Sequence, residues 1–168
     1  MSGALIVTAV LGDADQHWLN DLRQRHFPPE RNHLAAHLTM FHALPPSAER
    51  EVRHRLGELA KEPPPQVLIS GLINLGGGVA YRVASDDLDQ VRARLAADFQ
   101  GLLTAQDAQG WRPHVTIQNK VAPKAARELL ASLESGFQPR PLLIHGLGLH
   151  RYLGGPWETL QVYPFRGR

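Results

Sequence analysis

The segment Arg112–Lys120, RPHVTIQNK, has a histidine and a threonine two residues apart in an apolar run that is typical of a β-strand. The earlier segment Ala35–Phe41, AAHLTMF, has the same arrangement. The residues of the two His-x-Thr motifs are His37 and Thr39 in the earlier segment, and His114 and Thr116 in the later one. The two motifs are 77 residues apart, and this repetition indicates an internal duplication.

Other segments repeat at nearly the same offset. Leu68–Leu75 (LISGLINL) is similar to Leu143–His150 (LIHGLGLH), and the pair Gly77-Gly78 recurs as Gly154-Gly155. Each half is predicted to run strand, helix, His-x-Thr strand, helix, strand, Gly-Gly, strand, with Val79–Ser85 counted in both halves. A repeat of this kind usually folds as two similar lobes packed about a pseudo-two-fold axis, so we predict two such lobes with the two motifs facing one another across a cleft.

Apolar runs, capping residues and proline or glycine breaks divide the chain into seven strands and four helices. The predicted strands are Ala4–Leu11, Ala36–Leu44, Val67–Leu75, Val79–Ser85, Pro113–Val121, Leu142–Tyr152 and Trp157–Phe165. The predicted helices begin at Asp13, after Pro45-Pro46-Ser47, at Ser85 and at Pro123. No linker separates these elements, so residues 1–168 are predicted to form a single domain.

The composition agrees with one compact domain and excludes several kinds of site. Of the 168 residues, 43% are hydrophobic and 20% charged. A chain of this length can bury a core without disulfides or metals. The chain has no cysteine, which excludes thiol catalysis, and its net charge of +2 suits a short anionic substrate. The apolar run Ala4–Leu11 spans only eight residues and no basic segment precedes it, so we expect neither a signal peptide nor a membrane span. We expect a cytoplasmic location and a monomer.

The spacing of the motif has a chemical meaning because side chains alternate between the two faces of a strand. The histidine and threonine of each motif therefore share a face. An imidazole titrates near neutrality and can give or take a proton, and a threonine hydroxyl can donate a hydrogen bond to a phosphoryl oxygen. Two such pairs around one phosphate would supply a base, an acid and two positioning donors. The pattern favours phosphodiester chemistry that requires no metal and no cofactor.

The motifs HLTM (His37–Met40) and HVTI (His114–Ile117) resemble the paired H-x-T motifs of the 2H phosphoesterase superfamily, in particular its RNA 2′,5′-ligase and cyclic nucleotide phosphodiesterase-like branch. The resemblance covers nearly the whole chain. It implies an α+β fold of two pseudo-symmetric lobes, each an antiparallel sheet plus helices, with the active-site cleft between the lobes. It implies action on 2′,3′-cyclic phosphate or 2′,5′-linked nucleotides at RNA ends, with RNA ends or small nucleotides as partners. It also implies that the two motif histidines are the catalytic acid and base and that Thr39 and Thr116 bind the phosphate.

The chain departs from the family pattern at two places. Relatives often have an arginine five residues after the second motif histidine, where this chain has Asn119 followed by Lys120. The first motif continues as Phe41-His42-Ala43-Leu44 instead of Phe-Leu-Gly. These departures leave the fold and the acid–base roles in place but leave the substrate open.

Further candidates for substrate binding lie near the motifs. Lys120 alternates with His114 and Thr116 and could reach the phosphate, although a solvated lysine at a strand end fits equally well. Three aromatic residues could stack a base or belong to the core: Phe41, which is predicted to share the His37 face, Tyr81 and Trp157. Three other histidines are interpreted as structural: His42, His145 and His150.

Two alternative functions remain. His33 and His37 are four residues apart, the spacing of a helical zinc pair, but no glutamate follows the first histidine and no third ligand is evident. The other alternative is a non-catalytic nucleotide- or RNA-binding module of the same fold. The direction of the reaction, and which histidine is the base, are left open by the sequence.

Overall fold

The computed structural model describes residues 3–168, and in that range it shows two four-stranded antiparallel sheets and five α-helices. The strands are β1 (Leu5–Leu11), β2 (Leu38–Leu44), β3 (Leu68–Asn74), β4 (Val79–Ala84), β5 (His114–Gln118), β6 (Arg140–Pro141), β7 (Ile144–Tyr152) and β8 (Trp157–Pro164). The helices are α1 (Asp13–His26), α2 (Glu49–Leu59), α3 (Asp86–Asp98), α4 (Ala105–Ala108) and α5 (Pro123–Glu134). No helix in residues 3–168 is long and apolar enough to cross a membrane.

All seven predicted strands and all four predicted helices are present, most with shorter bounds. Ser85 caps α3, since its hydroxyl accepts a hydrogen bond from the Leu88 backbone N–H at 3.0 Å. Two elements that the sequence did not predict are the two-residue strand β6 and the one-turn helix α4. Both are too short to show a hydrophobic period.

The two sheets have the same plan, which confirms the two-lobed α+β fold. The strand orders are β2-β1-β7-β8 and β5-β4-β3-β6, so that each motif strand forms one edge of its sheet. The similar segments Leu68–Leu75 and Leu143–His150 supply β3 and β7, which occupy equivalent places. Strand β4 takes the place beside β5 that β1 takes beside β2, as expected for a segment counted in both halves.

The lobes are nevertheless not the two halves of the sequence. The first sheet combines β1 and β2 with β7 and β8 from the end of the chain, and the second sheet combines β3 and β4 with β5 and β6. Each half therefore contributes its closing strands to the sheet of the other half. This exchange makes the two lobes covalently and structurally interdependent.

Helices cover one face of each sheet and leave the motif face open. Phe41 of β2 packs edge-on against Phe99 at the end of α3, with ring centroids 5.7 Å apart. Trp18 of α1 packs against Tyr81 of β4 at 5.3 Å. Helix α1 thus precedes β2 in the chain but packs on the sheet that contains β5. Strands β2 and β5 are in contact with each other, and the cleft forms where they meet.

Each motif strand contains a β-bulge directly after its threonine. In the first sheet the register changes between the pairs Thr8–Thr39 and Val7–Phe41, which leaves Met40 as an extra residue. Because an extra residue reverses the alternation, Phe41 points to the helix-covered face together with Met40, and both are fully buried. The prediction that Phe41 shares the His37 face is therefore wrong.

The bulge recurs at the equivalent position of the second motif. The register changes between the pairs Ala80–Thr116 and Val79–Gln118, which leaves Ile117 as the extra residue, 77 residues after Met40. Gln118 is consequently buried, as Phe41 is. In both strands the next residue returns to the motif face; these residues are His42 and Asn119.

Candidate active site

The two motif histidines are held in the same way. The ring of His37 donates a hydrogen bond from Nδ1 to the carbonyl oxygen of Ala35 at 2.9 Å, and His114 donates from Nδ1 to the carbonyl oxygen of Arg112 at 2.7 Å. A carbonyl oxygen can only accept, so Nδ1 carries the hydrogen in both rings. The nitrogen left for a substrate is Nε2 in each case, which is the arrangement that a proton-transfer pair requires.

The motif residues come together crosswise. One pocket, of about 230 Å³, is lined by His37 of the first motif and Thr116 of the second. A second pocket, of about 470 Å³, is lined by Thr39 of the first motif and His114 of the second. Each pocket therefore pairs the imidazole of one motif with the hydroxyl of the other, and the pseudo-two-fold relation places a proton carrier and a hydrogen-bond donor on both sides of the cleft.

The environment of His37 favours its neutral form. Burial is the main cause that lowers the pKa of His37 to about 4 from 6.5, while the hydrogen bond to the Ala35 carbonyl acts in the opposite direction. Positive charge nearby lowers the pKa further; its sources are Arg23, His150 and His114. At neutral pH the Nε2 atom of His37 is thus a free base.

Trp157 closes this side of the cleft. Its ring contacts His37, with centroids 4.7 Å apart, and His150 at 5.4 Å. Both nitrogens of His150 are hydrogen-bonded to hydroxyls, Nε2 to Thr8 at 2.8 Å and Nδ1 to Thr159 at 3.0 Å, and burial lowers the pKa of His150 to about 4. These side chains line a pocket of about 370 Å³ beside His37. His150, which the sequence indicated as structural, therefore belongs to the wall of the cleft.

Two buried arginines support the motif strands from the helices. Arg23 of α1 donates from Nη1 to the carbonyl oxygen of Thr116 at 2.9 Å and lines the pocket of His37. Arg92 of α3 donates from Nε to the carbonyl oxygen of Met40 at 2.9 Å and lines the pocket of His114. Burial lowers the pKa of Arg23 to about 10, so that its guanidinium still carries a charge at neutral pH.

Sequence reasoning missed both arginines, although a signal for them exists. Arg23 follows Leu19 by four residues, and Arg92 follows Leu88 by four. Each arginine therefore lies on the apolar stripe of its helix, where a charged side chain must have a specific partner. The partner in each case is a carbonyl oxygen of a motif strand.

Two of the predicted base-stacking residues have no access to a base. Phe41 is fully buried, and the guanidinium of Arg92 lies 4.1 Å from the centroid of its ring. Tyr81 is 5% exposed and packs between Trp18 and Phe137. Both residues belong to the core, and the expectation that they stack a base is corrected by their burial.

Lys120 and His33 occupy different places from those that the sequence suggested. Strand β5 ends at Gln118, and Lys120 is exposed with φ 64°, whereas Asn119 lines the pocket of His37 and Thr116. The bulge displaces Lys120 from the alternation that would have aligned it with the motif. His33 is exposed and lines the rim beside His37 in a loop instead of a helix. Within residues 3–168 no group of three potential ligands is arranged to hold a metal ion.

Comparison with known proteins agrees with this geometry. The family model of the 2′-5′ RNA ligase superfamily matches residues 11–156, and the chain belongs to this family. The structure is similar to TT0787 of Thermus thermophilus, with a TM-score of 0.67 and 16% sequence identity over 98% of this chain and 99% of that one. It is also similar to E. coli LigT complexed with 3′-AMP, with a TM-score of 0.64 and 16% identity over 98% and 99%. No curated protein matches the sequence. At such identities the structural likeness shows the fold alone.

Proposed function

We propose that the protein is a metal-independent phosphoesterase that acts on 2′,3′-cyclic phosphate or 2′,5′-linked nucleotides at RNA ends. The observation that carries the proposal is the crosswise arrangement, in which the imidazole of each motif shares a pocket with the threonine of the other. Membership of the 2′-5′ RNA ligase superfamily supports it. So do the structures of E. coli LigT, whose complexes contain 3′-AMP, NADP+, ATP and phosphate.

The substrate phosphate would bind between the two motif strands. The hydroxyls of Thr39 and Thr116 donate to its non-bridging oxygens, since threonine hydroxyls can donate to such an acceptor. The guanidinium of Arg23 supplies positive charge at this position, and its burial strengthens the electrostatic attraction. These groups orient the phosphorus for attack and stabilise the charge that develops on its oxygens.

In this mechanism His37 is the base, and its pKa of about 4, which keeps it neutral at neutral pH, supports that role. Nε2 of His37 removes a proton from the attacking water, the water oxygen bonds to phosphorus, and one phosphorus–ribose oxygen bond breaks. Nε2 of His114, as the acid of the pair, gives a proton to the departing ribose oxygen. A ribose hydroxyl in place of water would form a 2′,5′ linkage with the same two groups.

A panel of 2′,3′-cyclic nucleotides and 2′,5′-linked dinucleotides tests the proposal, with the 2′- and 3′-phosphate products resolved. The protein should turn over at least one class after dialysis against a strong chelator. Loss of turnover on chelation that zinc restores would establish a metallohydrolase instead. Nucleotide binding without any turnover would establish the non-catalytic module.

A further inference from the structure

The pocket that contains Thr39 and His114 has a second histidine in its wall. His42 lines this pocket, and its side chain is 42% exposed. The bulge after Thr39 brings His42 to the motif face, just as the second bulge brings Asn119 to the face of Thr116. The residue five positions after each motif histidine is therefore delivered to the cleft, and the proposed two-histidine mechanism has no task for it.

A buried carboxylate orients the His42 ring. Asp107 of α4 is 2% exposed, and the Nδ1–H group of His42 donates to its Oδ1 at 3.0 Å. The same carboxylate accepts the backbone N–H groups of His42 and Ala43, at 2.9 to 3.1 Å. Burial alone would raise the pKa of Asp107, but these hydrogen bonds outweigh it and leave the pKa below its usual value. The carboxylate therefore stays ionised, and Nε2 of His42 is the nitrogen that remains for a ligand.

The charges around the pocket favour an anion. Its lining includes two arginines, Arg92 and Arg112, and two histidines, His42 and His114. Asp107 is the one carboxylate of this lining, and its oxygens are occupied by the His42 ring and by backbone N–H groups. Arg112 is exposed, and its backbone carbonyl holds the His114 ring, which keeps its side chain next to the cleft. A negatively charged group bound in this pocket would meet hydrogen-bond donors. It would meet no carboxylate whose oxygens are unoccupied.

We propose that this pocket is a second phosphate subsite, in which His42, oriented by Asp107, and Arg112 bind a phosphate group other than the one that reacts. The inference rests on the proposed function, because it assigns the reacting phosphate to the place between the motif strands. It identifies the substrate class as nucleotides with two separate phosphates. In this arrangement the Nε2 edge of the His42 ring and the guanidinium of Arg112 contact the non-reacting phosphate.

Equilibrium binding tests the subsite without any need for turnover. The probes are adenosine 3′-phosphate, adenosine 3′,5′-bisphosphate and the dinucleotide ApAp, whose second phosphate is a diester. The wild type should bind a two-phosphate probe about tenfold more tightly than the monophosphate. Preference for the bisphosphate would identify a terminal phosphate as the ligand, and preference for ApAp a phosphate within an RNA chain.

His42→Ala and Arg112→Ala should each remove most of that advantage and leave the affinity for the monophosphate within about twofold. His54→Ala is the matched control, because His54 is an exposed histidine on α2 outside the pockets of the cleft. Asp107→Asn should also weaken binding of the second phosphate. Measurement of thermal unfolding distinguishes this effect from a loss of folding. The test by His42→Ala does not depend on the Asp107 variant, since the exposed His42 ring contributes little to the core.

Equal affinities of the wild type for the monophosphate and for both two-phosphate probes would overturn the second subsite. An equal loss for all three probes in His42→Ala would also overturn it, because His42 would then act on the reacting phosphate or on the fold. Failure of the proposed function has a different signature: the wild type would turn over neither 2′,3′-cyclic nucleotides nor 2′,5′-linked dinucleotides, whatever its binding preference.

Discussion

The two motif strands share their sequence, their place in the sheet, their bulge and the hydrogen bond that holds the histidine, but their surroundings differ. His37 lies under Trp157, which begins the eight-residue strand β8. The strand at the corresponding edge of the other sheet is β6, which has two residues. His114 consequently faces a wider, more polar pocket with Arg112. The duplication builds two similar histidine positions, and the unequal edge strands make their environments different.

Replacement of either histidine should have the largest effect. His37→Ala or His114→Ala should lower kcat/KM for a 2′,3′-cyclic nucleotide by about 10²–10⁴, the usual contribution of a general acid or base. The double variant should lose little more than the worse single variant, because the two groups act in one step. Steady-state kinetics with matched thermal unfolding checks this. A single variant that keeps most of its activity would contradict the paired assignment.

The threonines should matter less than the histidines and about equally, if the crosswise arrangement holds. Thr39→Val and Thr116→Val each remove one hydrogen bond to the phosphate, worth about 0.5–3 kcal/mol. The measured quantity is kcat/KM for the same substrate. A loss from one threonine only would show that the phosphate binds to one side of the cleft and that the pseudo-symmetry does not extend to the substrate.

Trp157 should control the pH dependence through His37. With a pKa of about 4, His37 stays neutral until the pH falls to that value, so the acid limb of kcat/KM should lie near pH 4. Trp157→Ala admits water, should raise the pKa of His37 towards 6.5, and should lower the ratio of the rates at pH 5 and pH 8 about tenfold.

The exposed Leu153, next to the turn between β7 and β8, gives a matched control for this variant. Leu153→Ala should leave the pH profile unchanged. An acid limb near 6.5 in the wild type would show that His37 is not the buried neutral base.

Lys120→Ala should have the smallest effect, within about twofold on kcat/KM, because the bulge turns Asn119 and not Lys120 into the cleft. Asn119→Ala is the comparison variant and should reduce the activity more. The same kinetic assay measures both. A large loss in Lys120→Ala with none in Asn119→Ala would restore the lysine as a phosphate ligand.

The sequence was sufficient for those features that depend on local pattern. Two His-x-Thr strands at an offset of 77, each with an apolar opposite face, predicted the motif strands and the duplication. The glycine run before Val79 predicted the β3–β4 hairpin, which the register confirms. Periodicity and chain breaks depend on neighbouring residues, and these are present in the sequence itself.

The features that the sequence could not supply all depend on contacts between distant segments. Strict alternation placed Phe41 and Lys120 on the motif face, but a bulge is defined by the register with a partner strand, and no residue type marks it here. The exchange of β7 and β8 into the first sheet likewise requires knowledge of which strands pair.

By itself, therefore, the sequence determined the longer strands and helices, the repeat and the four motif residues, because alternation and helical period are local physical constraints. The tertiary structure decided which other residues join the four motif residues at the cleft. It brought Arg23, His42 and Trp157 to the cleft from three different elements. It also set the low pKa of His37, because burial depends on what packs over a ring and not on its neighbours along the chain.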